Sequence, residues 1–403
     1  MTSPSRIGWL LVATALLTAC AAPAPVPQAA DSSPLPVAEW PRPDTHCASG
    51  DILLDAYFET GNLGQCTVEA DGSFTLSLIP EDAPPINPSP WYAFRASGAP
   101  GTEVRVRLEA TRGHIRYWPK TSIDGRNWIP LPRDQVNPHD KRSRWMTFQF
   151  ELDGAYRWVA GQEIIDTWDY QHWIGDLGAR DGIETSLLGR SVEGRPVYLV
   201  ETPAREEFVL LLGRQHPPEV TGAIAMRSFV ETVLADTELA TRFRERFQLG
   251  IVPLMNPDGV SGGYWRHNAG GKDMNRDWGP FEQPETRAVM RWVEARERAG
   301  NKLRLVVDFH STFEDLFYTP PIETDPLDLS SLWLTSARLR LDDFPFRHVP
   351  STDLEQANSK NYFYRSRGIP AVTYEAGDAT DRAALRRAAV VFAEEMMQTL
   401  LDL

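Results

Sequence analysis

The sequence predicts a mixed α/β domain, a largely parallel sheet with helices on both faces, preceded by an antiparallel β-sandwich. Two observations carry this. Residues 46–160 alternate apolar and polar with period two and show no convincing amphipathic helix, whereas residues 161–403 alternate short apolar runs with helical patterns. At 403 residues the chain is long enough for about two to three domains, each with its own core.

Residues 1–19 read as a lipoprotein signal peptide. Arg6 gives a basic start, and Ile7 to Leu17 is an apolar run too short to span a bilayer. The run ends in Leu17-Thr18-Ala19-Cys20, which resembles a bacterial lipoprotein box and predicts membrane anchoring through a lipidated Cys20. The expected location is therefore the outer membrane, facing the periplasm; a plain signal peptide with a chance cysteine is the alternative. Residues 20–45 carry Pro23, Pro25, Pro27, Pro34, Pro36, Pro41 and Pro43, a composition that reads as an extended tether.

With Cys20 lipidated, Cys47 and Cys66 form an even pair in an oxidising compartment. A bridge between them would be worth roughly 3 kcal/mol by chain entropy; two buried thiols are the alternative. The formal charge of −14 suits a soluble surface and excludes nucleic acid as a partner.

In residues 46–160, Glu103-Val-Arg-Val-Arg-Leu-Glu109 alternates without a break, and Met146, Phe148 and Phe150 repeat at the same spacing. Turns are expected at Asp71-Gly72, Asp124-Gly125 and Asp153-Gly154. These features predict a sandwich of about seven to nine strands. In residues 161–403, apolar runs at 208–212, 251–254, 303–309 and 371–374 predict buried strands, and 223–234, 285–298 and 382–400 predict helices. The tryptophans between Trp168 and Trp173 read as interdomain packing in preference to a carbohydrate platform.

The chemistry-bearing residues cluster at the ends of those runs, where an open α/β sheet presents its active site. His216 and Glu219 form a His-x-x-Glu pair, and His310 follows the third run. A lone His-x-x-Glu arises by chance about half a time in a chain of this composition. Joined to His310, however, the set offers two imidazoles and a carboxylate. Three protein ligands leave a fourth position open, the arrangement of a catalytic zinc. Pro217 and Pro218 between the first two ligands stiffen their loop. Asp273 either receives a ligand imidazole N–H or lies on the surface. His267 and His348 read as polar neighbours, not ligands.

The series His216-x-x-Glu219, Asn256-Pro-Asp-Gly259, Trp265-Arg266, Asp273-x-Asn-Arg276, His310 and the strand-borne Glu375 resembles the zinc metallocarboxypeptidase family over about residues 165–403. Phe58-Glu-Thr-Gly-Asn-Leu63 and Ser122-x-Asp124-x-x-x-Trp128 resemble the N-terminal domain of its cytosolic carboxypeptidase branch. The resemblance implies one zinc ion on His216, Glu219 and His310, with peptide or protein C-termini as substrates. It implies that Glu375 is the general base, taking a proton from water and returning it to the leaving amine. Arg266 would stabilise the oxyanion, and Asn275 and Arg276 would clamp the terminal carboxylate. Lys360 falls at the position resembling the specificity determinant, which would favour substrates ending in Glu or Asp.

The chain departs from the family pattern in two respects, of which Lys360 at the specificity position is one. A mobile tyrosine is expected some twenty residues before the catalytic glutamate, where this chain reads Ser351-Thr-Asp-Leu-Glu355; Tyr362 and Tyr364 lie closer to Glu375. Two rival functions are also compatible with the sequence: a peptidoglycan stem-peptide amidase or carboxypeptidase, and a catalytically inactive binding lipoprotein.

Overall fold

The computed structural model describes residues 42–81, 88–137, 143–154, 156–321, 328–351 and 353–403. The signal segment, Cys20 and the tether up to residue 41 lie outside the described residues. Among the described residues, no helix is long and apolar enough to cross a membrane.

The N-terminal part contains β1 (His46–Ser49), β2 (Ile52–Asp55), β3 (Gln65–Val68), β4 (Phe74–Leu78), β5 (Ala93–Ser97), β6 (Glu103–Ala110), β7 (Lys120–Ser122), β8 (Ile129–Pro130), β9 (Val136–Asn137), β10 (Trp145–Glu151) and β11 (Arg157–Ala160). They form a six-stranded sheet, β1-β2-β5-β11-β7-β8, and a five-stranded sheet, β3-β4-β6-β10-β9. Strand β6 alternates buried and outward residues as its sequence predicts, and β10 turns Met146, Phe148 and Phe150 inward to the same core. There are more strands than the pattern suggested, because pieces such as β8 and β9 are two residues long and carry no periodic signal. One pairing also departs from the antiparallel expectation: β4 runs parallel to β6. A disulfide joins Cys47 of β1 to Cys66 of β3, linking the two sheets across a Cα–Cα distance of 6.2 Å.

The second part runs α1 (Thr167–Gly178), β12 (Glu184–Arg190), β13 (Pro196–Glu201), β14 (Glu207–Gly213), α2 (Val220–Val233), α3 (Glu238–Arg246), β15 (Phe247–Val252), α4 (Pro257–Gly262) and α5 (Pro284–Arg298). It continues through β16 (Lys302–Thr312), β17 (Leu316–Thr319), α6 (Leu329–Arg340), β18 (Arg347–Pro350), α7 (Ser359–Arg367), β19 (Ala371–Gly377) and α8 (Arg382–Asp402). The strands make one eight-stranded sheet in the order β12-β13-β15-β14-β16-β19-β17-β18.

The four central strands β15, β14, β16 and β19 are mutually parallel, whereas β12, β13 and β17 join antiparallel to their inner neighbours. The central strands are buried on both faces, which is why they read as continuous apolar runs. Helices α2, α6 and α8 cover one face around Phe229, Trp333 and Phe392, while α5 and α7 cover the other through Val289, Val293 and Phe363. Each fully buried aliphatic or aromatic side chain here contributes about 1.5–3 kcal/mol.

The close fit of α2 to the sheet depends on one glycine. A Cβ on Gly222 would lie 2.4 Å from the carbonyl oxygen of His310, so only glycine lets the helix start sit against β16. Strands β16 and β19 extend past the predicted apolar runs, so that His310 and Glu375 stand inside the strands.

Candidate metal centre

The loop after β14 turns sharply at Arg214, whose φ of 53° is left-handed, and its guanidinium Nε donates to the Pro217 carbonyl at 2.7 Å. That turn carries His216 into the interior. Asn256, the cap of α4, accepts from Gly259 N at 2.9 Å and donates to the Gln215 and His267 carbonyls at 3.1 and 3.0 Å. The Asn-Pro-Asp-Gly motif is thus a brace: Asn256 ties two loops together. Asp258 is fully buried and accepts from Ser191 Oγ, Glu193 N and Arg195 Nη1.

His216, Glu219 and His310 converge, all three buried. His216 Nδ1 lies 2.9 Å from Glu219 Oε1, and His310 Nδ1 lies 2.7 Å from Glu219 Oε2. The two Nδ1 atoms are 3.1 Å apart. A tetrahedral ion with bonds of about 2.0–2.1 Å needs ligand atoms about 3.3 Å apart. The separations, which run to the two different oxygens of Glu219, are somewhat shorter than that edge, and one ligand atom from each residue lies within 4.8 Å of the others.

Each imidazole is also held from its outer side. His216 Nε2 lies 3.0 Å from Asp273 Oδ1, and His310 Nε2 lies 3.0 Å from Asp308 Oδ2. Both nitrogens of each ring therefore face carboxylates or each other. Burial works against charge on His310, but Asp308 and Glu219 overcome it and raise its pKa well above the usual value. Burial would likewise raise Glu219, yet the two histidines hold it well below the carboxylate range. Two imidazole nitrogens and a carboxylate aimed at one another in a buried cluster suit a cation at that point, with Nε2–H of each ring donating outward. The donor set fits zinc.

Glu375 of β19 is paired in register with His310 of β16, so the two side chains share one face of the sheet. Its Oε2 is buried without a hydrogen-bond partner, and burial pushes its carboxyl up to about 7. Arg266 Nε donates to Asp273 Oδ2 at 2.6 Å, which joins the arginine to the His216 side of the cluster through one carboxylate. Asn275 lies against His310, its Nδ2 3.3 Å from Nε2, while its Oδ1 accepts from Ser359 N at 3.0 Å. Arg276 is half-buried and donates to the Asn275 carbonyl at 2.7 Å.

Lys360, next to Ser359 at the start of α7, is buried with its amine on Asn361 Oδ1 at 2.6 Å. Burial pulls it down to about 8, against the pull of Asp353. Tyr362 packs among Trp278, Phe281 and Phe363. The phenol that feels the Glu375 charge is Tyr318 on β17, pushed up first by burial and then by that carboxylate. His348 contacts Thr319 Oγ1 at 2.9 Å. In α1, Tyr170 and Trp173 are buried whereas Trp168 is exposed, so only part of that aromatic stretch packs inward.

Three residues of the site were not singled out from the sequence. Asp308 orients His310 and also accepts from Gln215 Nε2 at 2.6 Å and from Ser359 Oγ. Gln215, fully buried, accepts from Trp278 Nε1 at 3.0 Å. Arg116 arrives from the sandwich, its Nη2 2.6 Å from the Ser311 carbonyl. The Val-Asp-Phe-His spacing, two residues on one strand face, was the only available pointer to Asp308.

Comparison with known proteins agrees with this geometry. A sequence model of the zinc carboxypeptidase family matches residues 170–325. Human cytosolic carboxypeptidase 6 is 25 % identical over 290 residues, covering 65 % of this chain and 57 % of that protein, so the chain spans little more than half of that relative. Among solved structures, the fold is similar to a metallo-carboxypeptidase from Burkholderia cenocepacia, with a TM-score of 0.70 at 21 % identity over 88 % of this chain and 98 % of that one. It is also similar to a metallo-carboxypeptidase from Pseudomonas aeruginosa in complex with (2-guanidinoethylmercapto)succinic acid, with a TM-score of 0.66 at 22 % identity over 87 % and 99 %.

Proposed function

We propose that this chain, whose residues 170–325 match the zinc carboxypeptidase family, removes C-terminal residues from peptides. The observation that supports this most is the buried His216, Glu219 and His310 triangle with Glu375 on the neighbouring strand. These three residues would hold one zinc ion. Zinc, when bound, supplies a Lewis acid that polarises a carbonyl and lowers the pKa of water.

The chain's own groups do the rest. Glu375, poised near neutrality, takes a proton from the attacking water and delivers it to the leaving amine. Arg266, anchored through Nε on Asp273, offers its remaining guanidinium N–H groups to the oxyanion. Arg276 and Asn275 receive the substrate's terminal carboxylate. Lys360 sits one residue from the Ser359 amide that bonds Asn275, and favours a Glu or Asp side chain at that end.

Export and anchoring through Cys20 belong to the same proposal. The Cys47–Cys66 bridge supports an oxidising compartment. Peptides with free and amidated C-termini, ending in Glu, Lys or Phe, test the activity by mass spectrometry of products. Loss of single residues from free termini, fastest for Glu, is expected. Cleavage of amidated peptides at equal rate would contradict the carboxypeptidase reading, and faster loss of Lys or Phe would end the acidic preference. Muropeptides in the same assay separate it from a stem-peptide amidase.

A further inference from the structure

Arg116 belongs to the sandwich, yet its guanidinium is held by the strands that carry His310 and Glu375. Nε and Nη2 donate to the two oxygens of Asp378 at 2.7 and 3.0 Å. Nη2 also donates to the Ser311 carbonyl at 2.6 Å, and Nη1 donates to Ser89 Oγ of the sandwich at 2.8 Å. The side chain is only 5 % exposed.

The two groups it grips lie at the ends of the catalytic strands. Asp378 follows β19 closely behind Glu375, and its amide donates to the Thr312 carbonyl of β16 at 2.7 Å. Ser311 follows His310 directly. Its hydroxyl accepts from the Gly222 amide and from Thr221 Oγ1, both at 2.8 Å, at the start of the helix that begins after Glu219. Thr221 Oγ1 in turn lies 3.2 Å from the carbonyl of Ala376, the residue after Glu375. Glu219, His310 and Glu375 are therefore each within three residues of one hydrogen-bonded network that Arg116 closes.

We propose that Arg116 is a positioning residue of the hydrolytic centre, supplied by the sandwich, which makes the sandwich part of the catalytic unit. This rests on the carboxypeptidase reading of the site. A planar fork can meet both Asp378 oxygens and the Ser311 carbonyl at once; an ammonium group is a point charge and cannot reproduce that geometry. Without the fork, Asp378 stays buried next to the strand ends with its charge unpaired, and the ends of β16 and β19 lose their common anchor. A displacement of about 1 Å between reacting groups costs up to about 100-fold in rate.

The test uses full-length, zinc-loaded protein and the peptide that the wild type cleaves fastest, with Arg116→Lys and Arg116→Ala. We expect kcat to fall by about 10-fold and 100-fold respectively, with KM within about threefold and zinc per chain unchanged. Low-millimolar guanidinium should restore part of the Arg116→Ala rate, whereas ammonium should not. Variants with wild-type kcat, a change confined to KM, lost zinc, or rescue by both ions equally would overturn the proposal. If Arg116→Ala fails to fold, Arg116→Lys decides by the same kcat, KM and zinc criteria. A wild type that releases no terminal residue sinks the peptidase reading itself. An active wild type with equally active variants sinks only the role of Arg116.

Discussion

His310 and Glu375 stand opposite one another in the parallel register of β16 and β19. One belongs to the metal triangle, the other carries the buried carboxylate. A slip of one residue would turn Glu375 to the opposite face, so the pairing of two strands fixes the chemistry.

Replacing that carboxylate separates function from stability. Glu375→Gln is expected to lower kcat by about 10²–10⁴-fold while zinc content stays the same. The metal-free fold should respond in the other direction. Glu375 has a folded pKa of about 7, above its ordinary 4.5, so the folded state binds the proton more tightly and loses stability as pH rises from about 4.5 to 7. At pH 8 the metal-free Glu375→Gln variant should be more stable than wild type by about 1–3 kcal/mol, and the gain should vanish below about pH 4.5. Chemical denaturation at the two pH values checks this; an equal gain at both contradicts the assignment.

The carboxylates behind the histidines should control metal affinity. Asp308→Asn and Asp273→Asn each leave the three ligands in place but weaken the acceptor for an Nε2–H. Zinc affinity is expected to fall about 10–100-fold for each. Competition with a chromophoric chelator measures it, and unchanged affinity would mean that these contacts do not orient the rings.

Much of this arrangement is legible in the sequence, and the reason is local periodicity. The alternation in β6 and the apolar runs of β14 and β16 report burial directly, because burial is what shaped them. The three ligands and Glu375 stand out because they recur in a known order. Arg116 and Gln215 have no such mark. Their roles arise only when distant elements meet, and an arginine in an aromatic segment between two strands reads like any surface charge until Asp378 is beside it. Strand direction at the sheet edges was equally hidden, since a short strand of four residues such as β17 fits either orientation.

The proposed role of Lys360 in substrate recognition predicts a selectivity that depends on pH. Its amine loses charge as pH rises through about 8, so the rate ratio for Glu-ended over Phe-ended peptides should fall between pH 7 and 9. Lys360→Met should remove both the ratio and its pH dependence. Because its folded pKa lies below 10.5, the folded state binds fewer protons than the unfolded chain between about pH 8 and 10.5, and the stability it costs is recovered as pH rises through that window. The methionine variant should therefore be stabilised most below pH 8. A ratio that stays flat with pH would remove Lys360 from substrate recognition.

Gly222 should be intolerant. Gly222→Ala places a Cβ against the His310 carbonyl, and a loss of about 2 kcal/mol or more is expected together with weaker zinc binding. Gly175→Ala in α1 meets nothing within 4 Å and should be neutral or stabilising by up to about 1 kcal/mol. Thermal unfolding of the two side by side checks the contrast; equal stability would show that α2 can shift freely from β16.

Zinc per chain is the most direct measurement, taken by elemental analysis after reconstitution and desalting, on wild type, His310→Ala and Glu375→Gln. The expected values are about one, close to none, and about one. Wild type without zinc, or His310→Ala retaining a full equivalent, would contradict a centre built from His216, Glu219 and His310.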